Sequence, residues 1–153
     1  MWVLGDSGTA GDGTFRAEHV REAYRKYAGT RKADVWLMLG DNAYFSGTDA
    51  EYQAAVFDAF PGVLRNTFLW PALGNHDGVS ASSATQTGPF FDIFTLPAAG
   101  EAGGVPSGTE AYYSFDVADI HFVVLDSEDS GIGPGSAQLQ WLAADLARRN
   151  RQW

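Results

Sequence analysis

Three blocks of this chain share one plan, an apolar run that ends in glycine and is followed by an oxygen-bearing side chain. They are Trp2-Val-Leu-Gly-Asp6, Trp36-Leu-Met-Leu-Gly-Asp41-Asn-Ala-Tyr44 and Trp70-Pro-Ala-Leu-Gly-Asn75-His76-Asp77. An apolar run of this length predicts a buried strand, and the glycine lets the chain turn sharply where it leaves the sheet. In an open α/β sheet, ligands gather just beyond the carboxyl ends of the strands. The blocks therefore aim Asp6, Asp41, Tyr44, Asn75 and His76 at one crevice. A single Gly-Asp step is an ordinary turn in which the acid caps its own backbone. Three in register describe a site.

The segments between the blocks predict alternating strands and helices. Strand 2–4 leads through a Gly/Ser/Thr loop to a helix over about 15–27, with Phe15, Val20, Ala23, Tyr24 and Tyr27 largely on one face. Strand 35–39 follows, then a helix over about 49–60, capped by Thr48 or Asp49 and stopped by Pro61-Gly62. Strand 68–73 delivers Asn75. Residues 78–88 and 98–108 are small polar loops of the kind that rim pockets, and 89–94 is a short aromatic turn or helix between them. Residues 111–116 and 120–125 predict an antiparallel pair, and a last helix covers about 136–149. The whole chain reads as one α/β domain, with no repeat and no internal linker.

Composition narrows the chemistry. The aromatic content of 14% and hydrophobic content of 45% place the chain among globular folds, not disordered ones. The absence of cysteine excludes thiolate metal ligands and disulfides. A net charge of −9 argues against nucleic acid as a partner, because phosphate backbones are held by clustered Lys and Arg. It leaves a small phosphate ester open, since bound cations would reverse the local sign. No apolar run approaches the roughly 20 residues of a membrane helix, so neither a membrane partner nor a signal peptide is expected from these residues.

Phosphoester hydrolysis at a two-metal centre needs an activated water, a clamp on the phosphate oxygens and charge relief for the leaving oxygen. A carboxylate can bridge two cations, a natural role for Asp41, with Asp6 on one metal and the amide oxygen of Asn75 on the other. Tyr44 discriminates further. A phenol with a pKa near about 10 is a poor ligand for divalent ions at neutral pH, whereas tyrosine does ligate iron.

Gly5-Asp6-x-Gly8, Gly40-Asp41-x-x-Tyr44 and Gly74-Asn75-His76-Asp77 resemble the first three of five motifs of the purple acid phosphatases. These are the tyrosine-ligated, iron-containing branch of the calcineurin-like metallophosphoesterases. Most other branches have histidine where this chain has Gly8, and they lack the tyrosine. The resemblance implies a four-layer αββα sandwich and hydrolysis of phosphomonoesters by direct attack of water, without a covalent enzyme intermediate. It assigns Asp6 and Tyr44 to Fe(3+), Asp41 to the bridge and Asn75 to a divalent metal (Fe, Zn or Mn). His76 would stand beside the phosphate as a catalytic residue, with Asp77 orienting its imidazole.

The family's two later motifs supply three further histidine ligands. This sequence contains His19, His76 and His121 and no Gly-His-x-His. The expectation is a catalytic domain represented by its N-terminal part, residues 1–153, with the sandwich incomplete and its C-terminal half the missing partner. Two competitors follow: a non-catalytic or partner-completed metal-binding remnant, and a phosphodiesterase or nucleotidase of the same superfamily. Location is left open. His19 is expected at the surface and His121 in a structural role. Asp126, Glu128 and Asp129 are expected in a solvated loop, and Phe90, Phe91, Phe94, Tyr112 and Tyr113 in the core.

Overall fold

The computed structural model describes residues 1–9 and 16–148. Strands β1 (Trp2–Leu4), β2 (Val35–Met38) and β3 (Phe68–Pro71) form a parallel sheet in that order. The register sets Trp2 against Trp36 and Leu37 against Trp70. Strand alternation then sends Trp2 and Trp36 to one face and Leu37 and Trp70 to the other.

Helix α1 (Arg16–Ala28) and segment 49–64 cover the first face. Trp2 stacks on Tyr24 at 4.4 Å and on Trp36 at 5.0 Å, and Phe60 meets both indoles edge-on. Contacts of this kind add about 1 kcal/mol each beyond the area they bury. Among the described residues, the buried stripe of α1 keeps Tyr24 of the predicted face but not Val20, Ala23 or Tyr27. Ala17 and Tyr24 face the sheet, whereas Val20 is 47% and Tyr27 80% exposed. Between Ala17 and Tyr24 on that stripe, the Arg21 guanidinium donates to the Ala59 carbonyl, so an amphipathic arginine takes an inward position. Phe15 and Arg149 lie outside the described residues.

The single helix predicted over 49–60 is broken. Helix α2 (Asp49–Tyr52) opens with a capping box, in which Thr48 Oγ1 accepts from Glu51 N and Thr48 N donates to Glu51 Oε2 at 2.9 Å. It passes into a π-helical turn, Gln53–Asp58. Pro61 then starts a helix, α3 (Pro61–Leu64), where a stop was expected. The first turn needs no N–H from that position, so proline suits it.

Strands β4 (Tyr113–Val117) and β5 (Ile120–Val124) form an antiparallel hairpin against the second face of the sheet. Phe115 stacks on Trp70 at 3.8 Å, and the fully buried Tyr113 donates to the Pro71 carbonyl at 2.8 Å. Helix α4 (Pro89–Ile93) adds Phe90 and Phe91 to the same core. On the hairpin's other face, Ser114 Oγ and His121 Nε2 meet Asp145 of helix α5 (Ala137–Ala147) at 3.0 and 2.7 Å. His121 Nδ1 faces Asp116 at 2.7 Å, so both of its ring nitrogens are spent on carboxylates within the fold. The contacts thus run helix, parallel sheet, hairpin, helix, a mixed α/β architecture. Among the described residues no helix is long and apolar enough to cross a membrane.

Candidate metal centre

Each strand of the parallel sheet ends in a turn that carries one of the predicted residues. Asp6 and Asp41 follow Gly5 and Gly40, and both adopt the left-handed backbone, with φ of 56° and 52°. That conformation costs a non-glycine residue about 1 kcal/mol or more, and Asp tolerates it better than most. The turns lock together through the backbone. Asp6 N donates to Gly40 O at 3.1 Å, Gly8 N to Asp41 O at 2.9 Å, and Tyr44 N to Gly8 O at 3.1 Å.

Glycine is required where these turns touch. A Cβ on Gly8 would lie 2.6 Å from Ala43 N, and one on Gly74 would fall inside the amide and carboxylate of Asp41. A side chain at position 8 is therefore incompatible with the path of residues 42–44, the path that brings Tyr44 to the acids.

The outcome is a convergence of oxygen atoms. The Tyr44 hydroxyl donates to Asp6 Oδ1 and lies 2.9 Å from Asp41 Oδ2, while Asp41 Oδ1 accepts from His76 N at 3.0 Å. Loss of solvent, together with the two carboxylates, holds the Tyr44 hydroxyl well above the ordinary phenol range. Asn75 is exposed and lines the same crevice, about 310 Å³, with Asp6, Asp41, Ser127 and Glu128. Among the described residues no three His, Cys, Asp or Glu side chains gather as a metal-holding group. The donor set here is two carboxylates and a phenol, with an amide on the crevice wall. Such hard oxygens fit a highly charged cation, and a cation among them would oppose the carboxylate charge that adds to the rise of the phenol.

His76 packs on the Tyr44 ring at 4.1 Å. Its Nδ1 lies 2.8 Å from the Phe45 carbonyl, which can only accept, so Nδ1 carries the proton and Nε2 is left to act outward. Asp77 does not orient this imidazole, contrary to expectation. It is fully buried and accepts from Asn42 N (3.1 Å), Asn42 Nδ2 (3.1 Å), Gly74 N (2.9 Å) and Tyr52 Oη (2.6 Å). Burial pushes its carboxyl above the usual range, against the pull of these donors. Asp77 is the internal tie between the second and third turns.

Three contributors were missed in the sequence. Tyr52 and Asn42 complete the Asp77 network beneath the site. Glu51, beyond capping α2, accepts from the amides of Phe45 and Ser46 and so pins the loop that presents Tyr44. The Thr48-x-x-Glu51 spacing is a visible signal for the cap, but not for the second task. The loop after β5 also needs correction. Asp126 is fully buried, accepting from Ser83 Oγ (2.7 Å) and from the amides of Glu128, Asp129 and Ser130. An acid followed by amides that fold back on it is buried by its own turn, and Glu128 is thereby set on the crevice rim.

No family model matches the chain. Two curated proteins of Arabidopsis thaliana are similar to it. Purple acid phosphatase 18 is 29% identical over 154 residues, covering 98% of this chain and 31% of its own length. Purple acid phosphatase 22 is 30% identical over 128 residues, covering 78% of this chain and 26% of its own length. The chain thus spans less than a third of the curated relatives it matches, and the similarity supports a distant relationship to that family.

Proposed function

We propose that the crevice at the carboxyl ends of β1, β2 and β3 holds metal for phosphoric ester hydrolysis of the purple acid phosphatase type, on a calcineurin-like sandwich. The observation that carries this reading is the meeting of Tyr44, Asp6 and Asp41 oxygens at the ends of adjacent strands. The distant relatives support it at the level of a metallophosphoesterase-like function. Asp6 and Tyr44 would hold Fe(3+), Asp41 would bridge, and Asn75 would hold the divalent ion (Fe, Zn or Mn). When bound, such a pair supplies Lewis acidity and lowers the pKa of water. The chain's own residues do the rest. Asp41 is aimed by the His76 amide, Tyr44 by the Glu51-braced loop, and His76 offers Nε2 to a phosphate ester or its leaving oxygen.

The direct test is hydrolysis of p-nitrophenyl phosphate by the chain after loading with Fe(3+) and Zn(2+). Turnover that requires both metals and falls at least about 100-fold in Asp41→Asn supports the reading, since a group acting on the reacting centre contributes on that scale. Turnover that is unchanged by metal removal contradicts it.

A second reading rests on the donor count. Two carboxylates, a phenol and an amide are fewer and harder ligands than a tight dinuclear site with imidazoles would have. On that reading the crevice binds metal weakly and becomes catalytic only when histidines from another segment or chain complete it. Stoichiometric, sub-micromolar binding of two metals by these 153 residues would exclude it.

A further inference from the structure

The opposite end of the parallel sheet carries a second concave site of the opposite charge. A cavity of about 630 Å³ lies where α1 runs out, where residues 29–34 enter β2, and where 61–67 enter β3. Five of the ten Lys and Arg residues of this acidic chain line it: Arg21, Arg25, Lys26, Arg31 and Lys32. The acid among the lining residues, Glu22, is engaged by Arg21 and Arg25 at 3.3 and 3.2 Å. Among the described residues, none of Lys26, Arg31 and Lys32 forms an ion pair with a carboxylate.

The helix dipole accounts for Arg25 and Lys26, which sit in the last turn of α1. It accounts in part for Arg31, whose Nη2 donates to the Tyr27 carbonyl at 3.5 Å and whose guanidinium lies over the Tyr27 ring, but not for Lys32, which lies beyond the helix and lines the same hollow. Nor is Lys32 loose. Its Nζ is held 2.8 Å from Asn66 Oδ1, and Asn66 is fixed in turn by its own amide contact with the Gly62 carbonyl. The floor is tied down by Thr67 Oγ1 to Ala33 O at 2.8 Å and Phe68 N to Asp34 O at 2.9 Å. Arg21 is committed to the Ala59 carbonyl and forms part of the wall.

We infer that this hollow is a binding site for a small organic polyanion, one that carries two or more phosphoryl or carboxyl groups on a compact body. The volume is that of a small-molecule pocket, typically about 300–1,000 Å³. Arginine forks and a lysine point charge are the natural partners of oxyanions, and a concave wall focuses their field. A long polyanion is disfavoured, because beyond the cavity it would meet a chain of net charge −9. Ala33, Pro61 and Val63 give the body of the ligand apolar surface. The site shares no lining residue with the metal crevice and does not depend on metal.

The test uses the metal-stripped full chain at low salt, with inorganic pyrophosphate and then citrate as probes, read by amide chemical shifts. Saturable shifts confined to residues 21–33 and 61–67 are expected, with affinity weakened at least about tenfold in Lys26→Glu/Lys32→Glu, a change of about 1.4 kcal/mol. Pyrophosphate binding more tightly than citrate assigns the phosphoryl class, and the reverse assigns the polycarboxylate class; either result upholds the site. No saturable shift with either probe overturns the inference, as do shifts that the charge reversal leaves unchanged. Both lysines are exposed, so the variant is expected to fold, and its unfolding midpoint serves as the control.

Discussion

The two ends of the parallel sheet are built by different means. At the carboxyl end the turns interpenetrate: left-handed acids, glycines with no room for a Cβ, and a buried carboxylate joining two loops. At the amino end the charges of Arg25, Lys26, Arg31 and Lys32 stand on exposed side chains around an open hollow, with Lys32 held by an amide oxygen. A site that must hold a cation among fixed oxygens needs the first kind of construction. A site that gathers a soluble anion works with the second, because long basic side chains adjust to their ligand. The contrast predicts that removing a buried tie or a tightly enclosed glycine at the carboxyl end damages the fold itself, while changes at the amino end alter binding alone.

The largest break should come from Asp77→Ala. It leaves Tyr52 Oη and the amides of Asn42 and Gly74 without their acceptor in a sealed site. A loss of about 3–5 kcal/mol is expected from urea unfolding, the range for removing a buried charged partner. Gly74→Ala should follow, at about 2–3 kcal/mol, because its Cβ collides with Asp41 and the neighbouring backbone must move. Thr48→Ala removes the cap of α2 and should cost about 1 kcal/mol. It should also loosen the Tyr44 loop, visible as faster amide exchange at Phe45 and Ser46. At the amino end, Arg31→Glu should change stability by less than about 0.5 kcal/mol. A larger loss there would erase the contrast.

Acid sharpens the comparison from another side. Burial raises the carboxyls of Glu51, Asp126 and Asp145, but the hydrogen bonds they accept outweigh it and hold all three below the ordinary range. With the folded value depressed, each contribution is complete above the unfolded pKa of about 4 and is lost as pH falls through the folded value. The urea midpoint should therefore decline below about pH 4, and Asp126→Asn should flatten part of that decline. Asp77 runs the other way, since burial raises its folded pKa and its contribution is lost as pH rises. A midpoint independent of pH over the acid range would contradict these assignments.

The strands, their glycine exits and the meeting of Asp6, Asp41 and Tyr44 at the strand ends are legible because each block is local: an apolar run, a glycine, an oxygen-bearing side chain. What was not legible depends on partners far along the chain. Asp77 meets Asn42, 35 residues away, and Ser83 meets Asp126, 43 residues away. No spacing rule reaches that distance, so Asp77 was assigned to its neighbour His76 and Asp126 to solvent. Helix α1 was misjudged for a related reason. Periodicity places Val20 and Tyr27 inward, whereas the inward positions are held by Ala17, Tyr24 and Arg21, whose guanidinium donates to the distant Ala59 carbonyl.

Titration of the metal-free chain with Fe(3+), followed by visible absorption, probes whether Tyr44, Asp6 and Asp41 form one oxygen-donor group. A saturable tyrosinate-to-iron charge-transfer band is expected, absent in Tyr44→Phe and with affinity weakened at least about tenfold in Asp6→Asn. Iron binding without such a band, or a band that survives in Tyr44→Phe, would contradict that grouping.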